Sequence, residues 1–173
     1  MPILNIEIKA KSTNQDKIRQ ILAGHHAVAR GTDHQIDTYF NVQYGRLKLR
    51  EGNIENNLIH YHRENKEGPK QSIVTLYQPH PDSTLKTILK NVIGILTIVD
   101  KTREIYFIDN VKFHIDTVKE LGTFIEIEAI DKDGSIGEVT LQKQCQDYMQ
   151  LFEIAQSDLL AQSYSDMMIL KNS

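Results

Sequence analysis

Five short stretches of this chain place two charged or ionisable residues two positions apart: Glu7-Ile8-Lys9, Lys48-Leu49-Arg50, Lys101-Thr102-Arg103, Lys112-Phe113-His114 running on to Asp116, and Glu126-Ile127-Glu128. The middle residue is apolar in every stretch but the third, where it is Thr102. Residues i and i+2 of a strand face the same way, so each pair projects from one face and the middle residue from the other. One face of the resulting sheet is therefore ionic. A solvated sheet surface would mix Ser, Thr, Gln and scattered charges. Here the basic pairs sit on some strands and the acidic pair on another, which suits a site that grips a polyanion with cations and holds metal ions with carboxylates.

The rest of the chain supplies strands to extend this pattern. A first strand is expected over residues 3–11, then a helix from about Asn14 to Gly24, with Thr13 or Asn14 as cap. Strands follow near 35–43, 46–51, 57–64 and 71–78, separated by the turn-rich segments Glu51-Gly52-Asn53 and Lys66-Glu67-Gly68-Pro69. A helix near 82–93, capped by Asp82 or Ser83 and ended by Gly94, precedes strands near 96–108, 111–118 and 122–131. An amphipathic stretch from Ile136 to Ile154 carries Val139, Leu141, Cys145, Tyr148, Met149 and Phe152, and a short terminal helix holds Leu159, Leu160, Met167, Met168 and Leu170.

About eight strands with one apolar and one ionic face can close into a barrel without exposed edges. The expectation from the pattern is a barrel of about eight strands with helices packed outside, spanning residues 1–173 as one domain. Ile6, Ile8, Leu47, Leu49, Ile125 and Ile127 would point outward against helices, and the ionic residues into a water-filled lumen. Such a lumen spares the charges the several kcal/mol that each would cost if buried unpaired.

With a formal charge of -3, the chain lacks the basic excess of a general nucleic-acid binder, so any polyanion site must be local. The start Met1-Pro2-Ile3-Leu4-Asn5 has no secretory apolar region and no run reaches membrane-spanning length, so a cytoplasmic protein without membrane partners is expected. Cys145 is the sole cysteine, which excludes an internal disulfide and reads as packing.

Seven motifs in order resemble the CYTH superfamily, whose members include class IV adenylate cyclases (CyaB-like proteins) and triphosphate tunnel phosphohydrolases. They are Asn5-Ile-Glu-Ile-Lys9, Gln35-Ile-Asp-Thr-Tyr-Phe40, Gly45-Arg-Leu-Lys-Leu-Arg50, Leu58-Ile-His-Tyr-His-Arg63 with Gly68-Pro-Lys-Gln-Ser72, Lys101-Thr-Arg103, His114-Ile-Asp116, and Leu121-Gly-Thr-Phe-Ile-Glu-Ile-Glu128; Ser163-Tyr-Ser-Asp166 also fits. The resemblance implies an α+β fold in which a closed antiparallel eight-stranded barrel encloses a triphosphate-binding tunnel, is nearest to CyaB-like members, and is compatible with a homodimer. The family's opening signature is Glu-x-Glu-x-Lys, and Asn5 stands at its first position. Asparagine offers a neutral oxygen where hard divalent cations prefer carboxylate.

On this basis Arg50, Arg63, Lys101 and Arg103 are the leading phosphate-binding residues, with Lys9, Lys48 and Lys112 beside them. Glu126 and Glu128, then Glu7 and Asp116, are the metal-ligand candidates for Mg²⁺ or Mn²⁺. Lys9, Arg103 and His114 are the catalytic candidates, His114 through phosphate contact or proton transfer. His60 and His62 share a strand face but lack a third ligand, so no zinc site is expected. Gly134-Ser-Ile-Gly137 reads as a turn before a helix, not a phosphate loop.

Three functions suit the tunnel. The resemblance favours conversion of ATP to cyclic AMP and pyrophosphate, by attack of the ribose 3′-hydroxyl on the α-phosphorus with metal assistance. The second is hydrolysis of an inorganic or organic triphosphate by water attacking its terminal phosphorus. The third is non-catalytic nucleotide or polyphosphate binding.

Overall fold

The computed structural model describes residues 2–173. Eight strands, β1 (Ile3–Lys11), β2 (Val28–Phe40), β3 (Arg46–Glu51), β4 (Asn56–Arg63), β5 (Lys70–Tyr77), β6 (Ile95–Ile108), β7 (Val111–Val118) and β8 (Gly122–Asp131), form a closed barrel in the order β1-β5-β4-β3-β2-β6-β7-β8. All eight pairings are antiparallel, so the expected fold is observed. The helices are α1 (Gln15–Gly24), α2 (Leu85–Ile93), α3 (Glu138–Leu151) and α4 (Tyr164–Lys171), with a 3₁₀ turn at Gln156–Asp158.

Period-2 alternation gives the barrel two different faces. On β1, β7 and β8 the outward set is Ile6, Ile8 and Ala10, Val111, Phe113 and Ile115, and Ile125, Ile127 and Ala129, all buried. They pack with Ile18 and Leu22 of α1 and with Leu141 and Cys145 of α3 into the main core. Cys145 is thus a packing residue whose Sγ–H also donates to the Ile6 carbonyl at 3.1 Å. Leu49 was expected under a helix with this group. It is buried but belongs to neither apolar cluster, because α1 and α3 cover the opposite side of the barrel.

A second core lies inside the barrel. Tyr39, Tyr61, Val99, Val118 and Phe124 alternate with outward residues on their strands and cluster with Tyr164 and Met168 of α4. That helix closes one end of the lumen. Its start is fixed by a capping box, in which the Ser163 hydroxyl accepts from the Asp166 N–H and the Asp166 carboxylate accepts from the Ser163 N–H, each at 3.1 Å. Lys70, fully buried, ties down the segment before it by donating to the Leu160 carbonyl at 2.7 Å.

β2 begins at Val28, seven residues before its expected start. The extra residues are mostly exposed and polar, and pairing with β6 shifts register between Ala29 and Gly31, so no clean alternation marks them. The other strands begin and end within two residues of expectation. Helix α2 starts at Leu85 with Thr84 as cap rather than Asp82 or Ser83, and Gly94, at φ 77°, ends it. Asn14 caps α1 by position alone, with no side-chain hydrogen bond. Among the described residues, no helix is long and apolar enough to cross a membrane.

Candidate functional site

The lumen is a single cavity of about 280 Å³. Glu7, Lys9, Lys48, Arg50, Arg63, Lys101, Arg103, Lys112, His114, Glu126 and Glu128 all line it, so the structure gathers these residues from six strands into one place. Strand pairing sets their depth. Lys9 faces Glu126 across β1 and β8, and Glu126 faces His114 across β8 and β7, forming an inner layer next to α4. Glu7, Glu128 and Lys112 form the next layer outward by the same pairings.

The cations are held by carboxylates rather than left free. Asp37 accepts two bonds from Arg50, both at 2.9 Å, one from Lys101 at 2.7 Å, and pairs with Lys48 at 3.2 Å. Burial alone would raise its pKa, but the charges of Arg50, Lys101 and Lys48 hold the carboxyl well below the usual range. Glu126 bonds Lys9 at 3.1 Å and Arg103 and His114 at 3.0 Å each, and these charges outweigh burial to keep it ionised. The Lys9 ammonium also lies 3.7 Å from the centre of the Tyr164 ring at the closed end.

Asp116, expected among the metal ligands, occupies a different place. It is fully buried, and its oxygens accept from Arg103 Nε at 2.7 Å, Arg103 Nη2 at 2.6 Å and the Tyr164 hydroxyl at 2.7 Å. Those bonds fix the guanidinium beside the lumen and leave Asp116 outside its lining.

Arg63 is the exception to full pairing. Its Nη1 donates to Glu7 at 2.5 Å, whereas Nε and Nη2 are buried with no partner. His114 is similar: Nδ1 lies 3.0 Å from Glu126 and Nε2 is buried without a partner. Burial, reinforced by Arg103, pushes the imidazole pKa down to about 4, so it is neutral near pH 7. A neutral ring bonded to a carboxylate carries its proton on Nδ1 and a free lone pair on Nε2.

The carboxylates fit a hard divalent cation. Glu128 is pushed up to about 7 by burial, against the pull of Lys112 and with the push of Glu7, Glu126 and Glu55. Asn5 donates to Glu128 at 2.5 Å and keeps its buried Oδ1 unpaired. This corner is rich in the hard oxygen that Mg²⁺ or Mn²⁺ prefers. Among the described residues, no three His, Cys, Asp or Glu side chains converge closely enough to hold an ion unaided. That suits a cation held by one or two carboxylates together with ligand phosphates.

Glu55 is a site residue that strand alternation does not reveal. It lies between β3 and β4, where buried Asp33 accepts the N–H groups of Asn53, Ile54 and Glu55 at 2.6–2.9 Å. Gly52 is needed there, since a Cβ would come within 2.7 Å of both Asp33 oxygens. The Glu55 carboxylate accepts from Arg50 at 2.9 Å and Gln35 at 3.1 Å and pairs with Lys112. Asp37, by contrast, continues the same-face series Asp33, Gln35, Asp37, Tyr39, and alternation carried through β2 would have found it. His60 and His62 face away from the lumen, beside Tyr44.

The CYTH domain family model matches residues 4–164. No curated protein sequence matches the chain. Among solved structures, the PH1012 protein from Pyrococcus horikoshii OT3 is 22% identical with a TM-score of 0.73, covering 94% of this chain and 98% of that one. A candidate adenylate cyclase from Vibrio parahaemolyticus is 15% identical with a TM-score of 0.72, covering 95% and 97%. A candidate adenylyl cyclase from Hippeastrum, described as having a dominant triphosphatase activity, is 14% identical with a TM-score of 0.63, covering 99% and 96%. These likenesses establish a shared barrel.

Proposed function

Because the chain belongs to the CYTH domain family, we propose that it is a divalent-metal-dependent enzyme that draws a triphosphate into the lumen and hydrolyses it at the terminal phosphorus. The observation that carries this reading is Arg63, whose buried Nε and Nη2 have no acceptor in the protein. An unsatisfied buried donor costs about 1–3 kcal/mol, and a phosphate oxygen removes that cost. Arg50, Lys101 and Arg103, held in place by Asp37 and Asp116, supply further positive charge at fixed positions.

Depth favours attack on the terminal phosphorus. The lumen ends at Tyr164, so a triphosphate enters with its terminal phosphoryl group first and seats it near Lys9. His114 lies in that inner layer, with Nδ1–H donating to Glu126 and Nε2 free to accept the proton of an attacking water. Glu126 and Glu128, with Glu7 and the Asn5 oxygen, would hold the metal, which when bound contributes neutralisation of phosphate charge.

Incubation with ATP or inorganic triphosphate and Mg²⁺ or Mn²⁺, followed by separation of products, tests the reading. Orthophosphate with ADP or diphosphate is the expected result. Cyclic AMP with pyrophosphate would instead identify the cyclase activity that the sequence resemblance favours. Binding without turnover would make the protein a triphosphate-binding module.

A further inference from the structure

The lining of the lumen changes character along its length. Inside lies the ionic belt. Beyond Glu7, Glu128 and Lys112, the lumen-facing positions become Ile3 on β1, Val74 and Leu76 on β5, Phe107 on β6 and Ile130 on β8. Pairing joins the β1, β5 and β4 part of this collar: Ile3 faces Val74, and Leu76 faces Ile59, a further lining residue. At this end the barrel's usual division is reversed, with apolar side chains pointing inward and Leu76 48% exposed. Asn57 and Lys132 add polar groups to the lining there, beside Asn5 opposite Ile130 and Lys112 opposite Phe107.

We propose that the ligand of this lumen is an amphiphilic polyphosphate ester, with its phosphates in the ionic belt and a hydrocarbon head group in the apolar collar. The inference rests on the triphosphate reading and narrows its substrate class. Collar and belt belong to one cavity, so a single molecule spans both. An inorganic polyphosphate would leave the collar in water, with no return for its apolar surface. A nucleoside carries ring nitrogens and hydroxyls that lose their water against these apolar side chains, and the Asn5 amide and Lys112 ammonium already bond Glu128 and Glu55, which leaves few groups to replace those bonds. A hydrocarbon carries no such penalty and gains from every methylene it buries.

Three triphosphates that the terminal-phosphorus reaction cannot cleave test this: the inorganic compound with both bridging oxygens replaced by methylene, and the β,γ-methylene adenosine and geranyl esters. Calorimetry with Mg²⁺ should give the geranyl ester an affinity about tenfold or more above the inorganic compound, what burial of as few as two methylenes yields. It should also bind more tightly than the adenosine ester. Leu76→Ser, at a half-exposed position, should shrink the geranyl-to-inorganic ratio toward one. Equal affinities for the geranyl and inorganic compounds, or tightest binding of the adenosine ester, would overturn the proposal while leaving the triphosphate reading intact. If none of the three binds, the triphosphate reading fails and the proposal with it.

Discussion

Arg103 and Asp116 face each other across β6 and β7 in a two-pronged ion pair, with N–O distances of 2.7 and 2.6 Å and both residues buried. Breaking a buried pair from one side leaves an uncompensated charge, at a cost of about 3–5 kcal/mol. Asp116→Ala should destabilise the protein toward the lower end of that range, because Glu126 still accepts from Arg103. Urea denaturation measures the loss. Metal titration should give wild-type affinity, and a large drop would make Asp116 a ligand instead.

Arg63→Ala should remove most of the thermal stabilisation that inorganic triphosphate confers, a loss of roughly 1.5–3 kcal/mol of binding. Melting temperatures with and without ligand provide the readout. An unchanged ligand-induced shift would show that the unpaired guanidinium donors are not where the anion sits.

Glu55→Gln removes a carboxylate that already occupies Arg50 and Lys112. Inorganic triphosphate should then bind about tenfold more tightly in EDTA, since the two cations no longer have to exchange one anion for another. Weaker binding would instead make Glu55 a ligand-holding group.

Glu128 gives the protein a distinctive dependence on pH. Its folded pKa is about 7 against an ordinary value of 4.5, so between those limits the folded state keeps a proton that the unfolded chain has lost. Stability from this group therefore falls as pH rises through that window. Glu128→Gln escapes the penalty. In EDTA the variant should be more stable than wild type by on the order of 1–3 kcal/mol above pH 7, with the difference closing below about pH 4.5. Denaturant titrations at pH 4.5, 6 and 8 would reveal it.

His114→Ala should lower turnover by roughly 10²–10⁴-fold with little change in KM, if the imidazole takes the proton of the nucleophile. A change confined to KM would place His114 in phosphate binding.

The barrel and its ionic lining were legible because both rest on a period of two. Lys48 with Arg50, Lys101 with Arg103, and Glu126 with Glu128 could be assigned to one face before any contact was known. What sequence could not supply was which charges pair with which. Asp116 reads like any lumen carboxylate along its own strand, and only the packing of Tyr164 and Arg103 around it removes it from the cavity. Glu55 was illegible for another reason: it enters the site from a turn shaped by Asp33, twenty-two residues earlier in the chain. The inner core was hidden too, because Met168 read as one apolar residue of a short terminal helix and Tyr164 as part of a short motif before it, with nothing to show that together they meet the barrel interior.

The seal made by Tyr164 turns the lumen into a dead-end street. On the proposed reading, a phosphoryl group cleaved at the inner end would have the remainder of the molecule standing between it and the open end. Departure would then run in the reverse of entry, with the outer fragment leaving first and orthophosphate following. A slow-leaving outer fragment would hold the inner one captive, so the tail of the molecule rather than the bond being broken would set the pace of turnover.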